Sequence, residues 1–153
     1  MTYYFDASAL MKRYVAEVGT ELVQALFRAS PIVGTALISR AEVVAGLARA
    51  ARLGWLPDRE ALASRHLFSQ EWRFMACLSL TEPIAERAAT LAWQHALRGY
   101  DAVHLATATA WREALDQPVT MVCFDLRLWQ AAAAEGLELY PPDLPALLDS
   151  WRK

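Results

Sequence analysis

An α/β fold built on a mainly parallel sheet of about four to five strands is what this sequence predicts, and three observations lead to it. Short strand-like runs alternate with longer segments of helical periodicity from one end of the chain to the other. The 153 residues are 56% hydrophobic, with no low-complexity tract, repeat or linker, which predicts one domain over 1–153 with a substantial core. Lone acidic residues stand at the ends of apolar segments, where an open parallel sheet presents the carboxyl ends of its strands.

Each element follows from local chemistry. Thr2–Phe5 combines aromatic and hydroxyl side chains suited to a buried strand. Asp6 then starts a helix through ASALMKRYVAE, which Gly19 and Thr20 interrupt before ELVQALFRA resumes the helical pattern. Pro31 precedes a second strand, Ile32–Ile38. Ser39 opens a helix to Arg52, closed by Gly54, and Pro57 starts another towards Trp72. Ala76–Leu80 reads as a third strand, and Thr81 caps the helix PIAERAATLAWQHAL. After Gly99, YDAVHLATATAWREAL is a mostly apolar helix, and Asp116-Gln117-Pro118 is a turn. Val119–Phe124 is the most strand-like segment. Asp125 opens LRLWQAAAAEG, and Leu137–Tyr140 is a last short strand before Pro141-Pro142. The tail PDLPALLDSWRK reads as a terminal helix on the core.

Composition narrows the function. The formal net charge of −2 excludes a chain that binds nucleic acid through its overall charge, so any such contact needs a local basic patch. Cys77 and Cys123 lie in apolar segments and read as free thiols, and no CxxC or His-rich spacing points to zinc. MTYYFDAS lacks a basic region ahead of an apolar stretch, and no apolar run approaches the ~20 residues of a membrane span. A cytoplasmic protein with no membrane association is expected.

Four acids carry the chemical argument: Asp6 after TYYF, Glu42 in ISRAE, Asp101 in RGYDAVHLA and Asp125 after TMVCF. Each has a structural explanation. Asp6 and Asp125 suit N-caps, Ser39 to Glu42 has the pattern of a capping box, and Asp101 suits the positive end of a helix. Their joint placement at one sheet edge argues for more. Carboxylates gathered there repel one another unless a cation sits among them, and the repulsion raises some of their pKa values. Carboxylate donors without thiolates or a histidine cluster favour Mg²⁺ or Mn²⁺. Such an ion suits hydrolysis of a phosphodiester.

The segments YFDASALMKRYV, ISRAEV, YDAVHLATA and CFDLRLWQAAAAEGL together resemble the successive signatures of PIN-domain ribonucleases. Within that family they are most similar to the VapC-type toxins of bacterial toxin–antitoxin pairs. The resemblance covers nearly the whole chain, in order. It implies a PIN-like α/β/α sandwich and a metal-dependent endoribonuclease. Asp6 and Asp101 become the most direct metal ligands, and Glu42 and Asp125 complete the site and help to orient the nucleophile. It further implies an RNA substrate, a cognate antitoxin that wraps helical surfaces and covers the site, and a homodimer. Cys123 departs from the family, which often has a hydroxyl residue two positions before the last acid; a thiol is a weaker partner for Asp125.

Other residues are weighed beside these. Ser8, close to Asp6, could hydrogen-bond a catalytic carboxylate. His104, three residues after Asp101, reads better as a packing or hydrogen-bonding histidine than as a general base. Lys12, Arg13, Arg40, Arg98 and Arg127 lie near the acidic motifs, with Arg49 and Arg52 further along, and Arg40 and Arg98 are the best candidates to hold RNA phosphates. Trp93, Trp111 and Trp129 are expected in the core. Trp55, Trp72 and Phe68 could line a groove for an apolar partner helix. The competing reading is a catalytically silent PIN-like module that binds RNA or protein. A phosphotransfer domain is disfavoured because no matching late-strand lysine is evident. Asp6-Ala7-Ser8 lacks the second aspartate of a DxD phosphatase.

Overall fold

The computed structural model describes residues 1–153. Five strands alternate with eight helices: β1 (Thr2–Phe5), α1 (Ala7–Met11), α2 (Thr20–Ala29), β2 (Ile32–Ala36), α3 (Ser39–Arg52), α4 (Asp58–Trp72), β3 (Ala76–Leu78), α5 (Glu82–His95), α6 (Gly99–Leu115), β4 (Val119–Val122), α7 (Leu126–Ala134), β5 (Glu138–Tyr140) and α8 (Leu144–Trp151). The strands form one sheet in the order β3-β2-β1-β4-β5, and every pairing is parallel. The predicted α/β class and its covered parallel sheet are what the chain adopts.

Side-chain alternation along the strands builds a core on each face. Tyr4, Val119, Met121 and Cys123 pack with Leu91, Leu105, Trp111 and Leu128 from α5, α6 and α7. Phe5, Val33 and Val122 pack on the other face with Leu10, Val23, Val43, Leu47 and Phe68 from α1 to α4. At Gly34, a Cβ would lie 2.2 Å from the Trp111 ring, so the absent side chain is what lets α6 close onto β2.

Several local expectations change. The helix opened by Asp6 ends at Met11, because Lys12, Arg13 and Tyr14 donate to carbonyls three residues back and tighten the chain. Strands β2, β3 and β4 each stop short of the expected ends, and the Leu37 amide makes the last rung between β2 and β3 on the Leu78 carbonyl. The capping box does not form. Ser39 hydrogen-bonds back to Thr35 near the end of β2 at 2.7 Å, and Glu42 turns to His104, a tertiary partner. Trp93 is 92% exposed rather than in the core, whereas Trp111 is buried and Trp129 is half-buried with its Nε1 donating to the Pro141 carbonyl. Phe68 and Trp72 are core residues rather than groove walls, packed edge to face at 5.3 Å, and Trp55 is exposed beneath Arg49. No helix is long and apolar enough to cross a membrane.

Candidate active site

The order of the strands places a topological switch between β1 and β4, where the chain's progression across the sheet reverses. In such sheets the carboxyl edge beside the switch is where a cleft opens. A cavity of about 250 Å³ lies at this edge, lined by Asp6, Ser8, Glu42, Arg98, Tyr100, Asp101, His104 and Asp125, with Ala7 between the first two. Four acids from four segments of the chain, separated widely in sequence, therefore meet in one cavity.

Each carboxylate is held by its own local structure. Asp6 follows β1 and caps α1: its Oδ1 accepts from the Ala9 amide at 2.8 Å and its Oδ2 from the Ser8 hydroxyl at 2.8 Å. It is 3% exposed. Burial is the main cause that raises its pKa above the usual carboxylate value; the charge of Asp101 adds to this, and His104, the Ala9 amide and Ser8 oppose it. The repulsion expected among the acids is thus present, but desolvation outweighs it. Asp125 caps α7 through its Oδ1, which accepts from the Leu128 amide at 2.9 Å. Its orientation is set by that helix and does not require a hydroxyl at Cys123. The Cys123 thiol is fully buried, and burial followed by the charges of Asp6, Asp125 and Asp101 pushes its pKa well up, so it remains protonated. Both cysteines are free, with Cys77 partly exposed.

Glu42 projects from the first turn of α3, and its Oε1 pairs with His104 Nε2 at 2.9 Å. Asp101 sits in the first turn of α6, and its Oδ2 accepts from Arg98 Nε at 2.8 Å. The same guanidinium approaches Asp125 Oδ2 at 3.6 Å. Arg98 is thus the cation among the acids, and these carboxylates raise its own pKa. Its side chain is 77% exposed, so it reaches the cavity from the solvent side.

The other basic candidates do not reach this cavity. Arg40 stacks over Trp72, Arg13 pairs with Glu71 at 2.7 Å, and Lys12 bonds Glu17 and the Val18 carbonyl. Arg127 donates to the Ala96 carbonyl, Arg49 covers Trp55, and Arg52 faces solvent. Sequence reading passed over Tyr100, which is 66% exposed at the rim, and Tyr4, which lies behind His104. Proximity of Tyr100 to Asp101 was a usable signal. The contact of Tyr4 with a residue a hundred positions away had none.

The donor set suits a hard divalent cation, since it consists of carboxylate oxygens around a cleft that already draws a positive group. No three of these side chains converge into a finished coordination shell. A second cavity of about 270 Å³ lies between α3 and α4 and is mainly apolar, walled by Val44, Leu47, Ala48, Ala51, Ala61 and Leu62.

Comparison with known proteins agrees with this architecture. The PIN domain family profile matches residues 3–133. Ribonuclease VapC45 and ribonuclease VapC49, from two strains of Mycobacterium tuberculosis, are each 36% identical to the chain over 141 residues, covering 92% of it and 96% of the relative. The chain belongs to the PIN-domain family and, within it, to the VapC ribonucleases. Among solved structures, FitAcB from Neisseria gonorrhoeae shares the fold at a TM-score of 0.67 and 18% identity, covering 92% of this chain and 98% of that one. A toxin–antitoxin complex from Klebsiella pneumoniae matches at a TM-score of 0.60 and 22% identity, over 81% of this chain and 87% of that one.

Proposed function

We propose that this chain is a divalent-metal-dependent endoribonuclease that acts as the toxin of a toxin–antitoxin pair. The observation that carries the reading is the meeting of Asp6, Glu42, Asp101 and Asp125 in one cavity at the carboxyl edge of the sheet. Family membership and relatives named ribonuclease VapC support it. Asp6 and Asp101 would hold Mg²⁺ or Mn²⁺, with Asp125 and Glu42 completing the set. When bound, the ion supplies charge neutralisation at the phosphodiester and acidifies water.

The chain's own groups divide the remaining work. Glu42 and Asp125 orient the attacking water and accept its proton. Water attacks phosphorus, the bond to the 3′ oxygen breaks, and the products carry a 3′-hydroxyl and a 5′-phosphate. Ser8 holds Asp6 Oδ2 in place. Arg98 leaves its ion pairs to grip a phosphate oxygen of the RNA. The apolar channel between α3 and α4 suits one face of an antitoxin helix, an assembly consistent with the toxin–antitoxin complex among the structural neighbours. A homodimer belongs to the same proposal, and light scattering of the purified chain measures it.

The test is RNA cleavage with Mn²⁺, Mg²⁺ or EDTA beside Asp6→Asn and Asp101→Asn. Cleavage is expected only with metal and should fall by at least about a hundredfold in either variant, with circular dichroism unchanged. Wild-type rates in both variants would overturn the site. One observation favours the silent-module reading: Arg98 already neutralises two of the acids. Metal-independent RNA binding with no product from inhibitor-free protein would select it.

A further inference from the structure

The buried histidine of α6 does more than fill space. His104 is 2% exposed, and both ring nitrogens have partners on other elements. Nδ1 lies 2.8 Å from the phenol oxygen of Tyr4 on β1, and Nε2 lies 2.9 Å from Glu42 Oε1 on α3. Tyr4 is itself fully buried and meets the imidazole edge to face at 5.9 Å. Two elements distant in sequence, β1 and α3, thus converge on one imidazole of α6, whose far side meets an acid of the cavity.

We propose that Tyr4 and His104 form a positioning relay that locks the Glu42 carboxylate for metal binding and cleavage, by holding the imidazole with its Nε2 proton towards Glu42. The proposal rests on the reading above that Glu42 belongs to the cleavage site. An ionised carboxylate only accepts hydrogen bonds, so Nε2 must carry a proton to bond Glu42 Oε1 at 2.9 Å. The phenol secures this from the other side by donating to the Nδ1 lone pair. The arrangement that this triad excludes is the neutral ring protonated on Nδ1 alone, which would set a bare Nε2 against a carboxylate oxygen. With Oε1 committed to the imidazole, Oε2 is the oxygen of Glu42 left free of protein partners. Groups that orient a metal-binding side chain from behind in this way typically change metal affinity or activity by about 10- to 100-fold when removed.

The experiment has two parts. Ring ¹⁵N NMR of the metal-free wild type reads the protonation of each His104 nitrogen, and Nε2–H is expected. Mn²⁺ affinity by calorimetry and RNA cleavage are then measured for His104→Gln, His104→Asn and Tyr4→Phe. Glutamine keeps a donor near the position of Nε2, whereas asparagine is too short to reach Glu42. Affinity and cleavage should fall by about 10- to 100-fold in the asparagine variant and recover substantially in the glutamine variant. Tyr4→Phe removes one oxygen and keeps the ring, so the fold is retained. It should weaken Mn²⁺ binding and let the Nδ1–H form appear in the NMR spectrum. A bare Nε2 in the wild type, wild-type Mn²⁺ affinity in His104→Asn, or equal losses in the asparagine and glutamine variants would overturn the relay. Asp6→Asn in the same series separates the two readings. Loss there with none in His104→Asn removes the relay alone, and no loss in either removes the proposed site.

Discussion

Asp6 serves two roles that pull against each other. As an N-cap its carboxylate satisfies the Ala9 amide, but the same group is almost entirely removed from water. Its raised pKa means that the folded chain holds the proton more tightly than the unfolded chain. The corresponding stability is present below the unfolded carboxylate value and is lost as the pH rises through the higher folded value. In metal-free protein, Asp6→Asn is therefore expected to raise the melting temperature at neutral pH by a few degrees, with the gain vanishing towards acid. Thermal melts across pH check this, and a gain that persists at low pH would contradict it. Arg98 makes a second residue-scale prediction. Its pairs with Asp101 and Asp125 are exposed, so they contribute little to stability, and Arg98→Gln should leave the melt nearly unchanged. Its Mn²⁺ affinity should rise by up to about fivefold, because an exposed ion pair is worth up to about 1 kcal/mol. RNA binding in a metal-free titration should weaken, and the slope of log K against log salt should shrink by about 0.7. An unchanged slope would remove Arg98 from the RNA-binding surface.

Among the elements, α6 carries the heaviest structural and chemical demands. Its first turn supplies Asp101, its middle supplies His104, and its last turns press Trp111 against Gly34 of β2. A Cβ at Gly34 would collide with a ring that has core on its other sides. Gly34→Ala is expected to destabilise the fold by about 1–3 kcal/mol, as overpacking does, measurable by urea unfolding. A neutral result would mean that Trp111 has room to withdraw. The α3–α4 pair contributes differently, burying Leu47 and Phe68 while leaving an apolar channel open above them. Leu62 on that channel is 65% exposed, so Leu62→Arg should leave stability unaltered and abolish co-purification with a co-expressed antitoxin. Retained co-purification would move the antitoxin to another face.

For the molecule as a whole, sheet order decides where chemistry can occur. The arrangement β3-β2-β1-β4-β5 puts β1 beside both β2 and β4, so the segments after all three strands open on one edge. α6 starts at that edge as well, which brings Asp101 and Arg98 to the acids after β1 and β4. The net charge of −2 leaves no general attraction for RNA, and most nearby cations are committed to the protein's own carboxylates, carbonyls and rings. Under the proposed function, association with RNA would then be concentrated on the rim formed by Arg98 and Tyr100.

Element type and order were legible because they rest on local chemistry. Hydrophobic periodicity, the caps at Asp6, Thr81 and Asp125, and the turn residues act over a few positions, and all three caps form. The four acids could be selected because a lone carboxylate after an apolar run stands out in composition. Residue type did not reveal orientation. Trp93 and Trp111 both lie in apolar helices, yet one faces solvent and the other seals Gly34. Glu42 had a local partner available in Ser39 and took His104 instead, and Arg13 pairs with Glu71 rather than lining the acidic cavity. Such choices depend on which side chains the sheet order brings within about 3 Å, a distance set by packing between segments rather than by either segment alone. By itself, the sequence determined the α/β class, the run of elements and the acids eligible for a site. The tertiary structure decided that the acids share one cavity, that Arg98 is the cation beside them, and that a buried Tyr4–His104 pair stands behind Glu42.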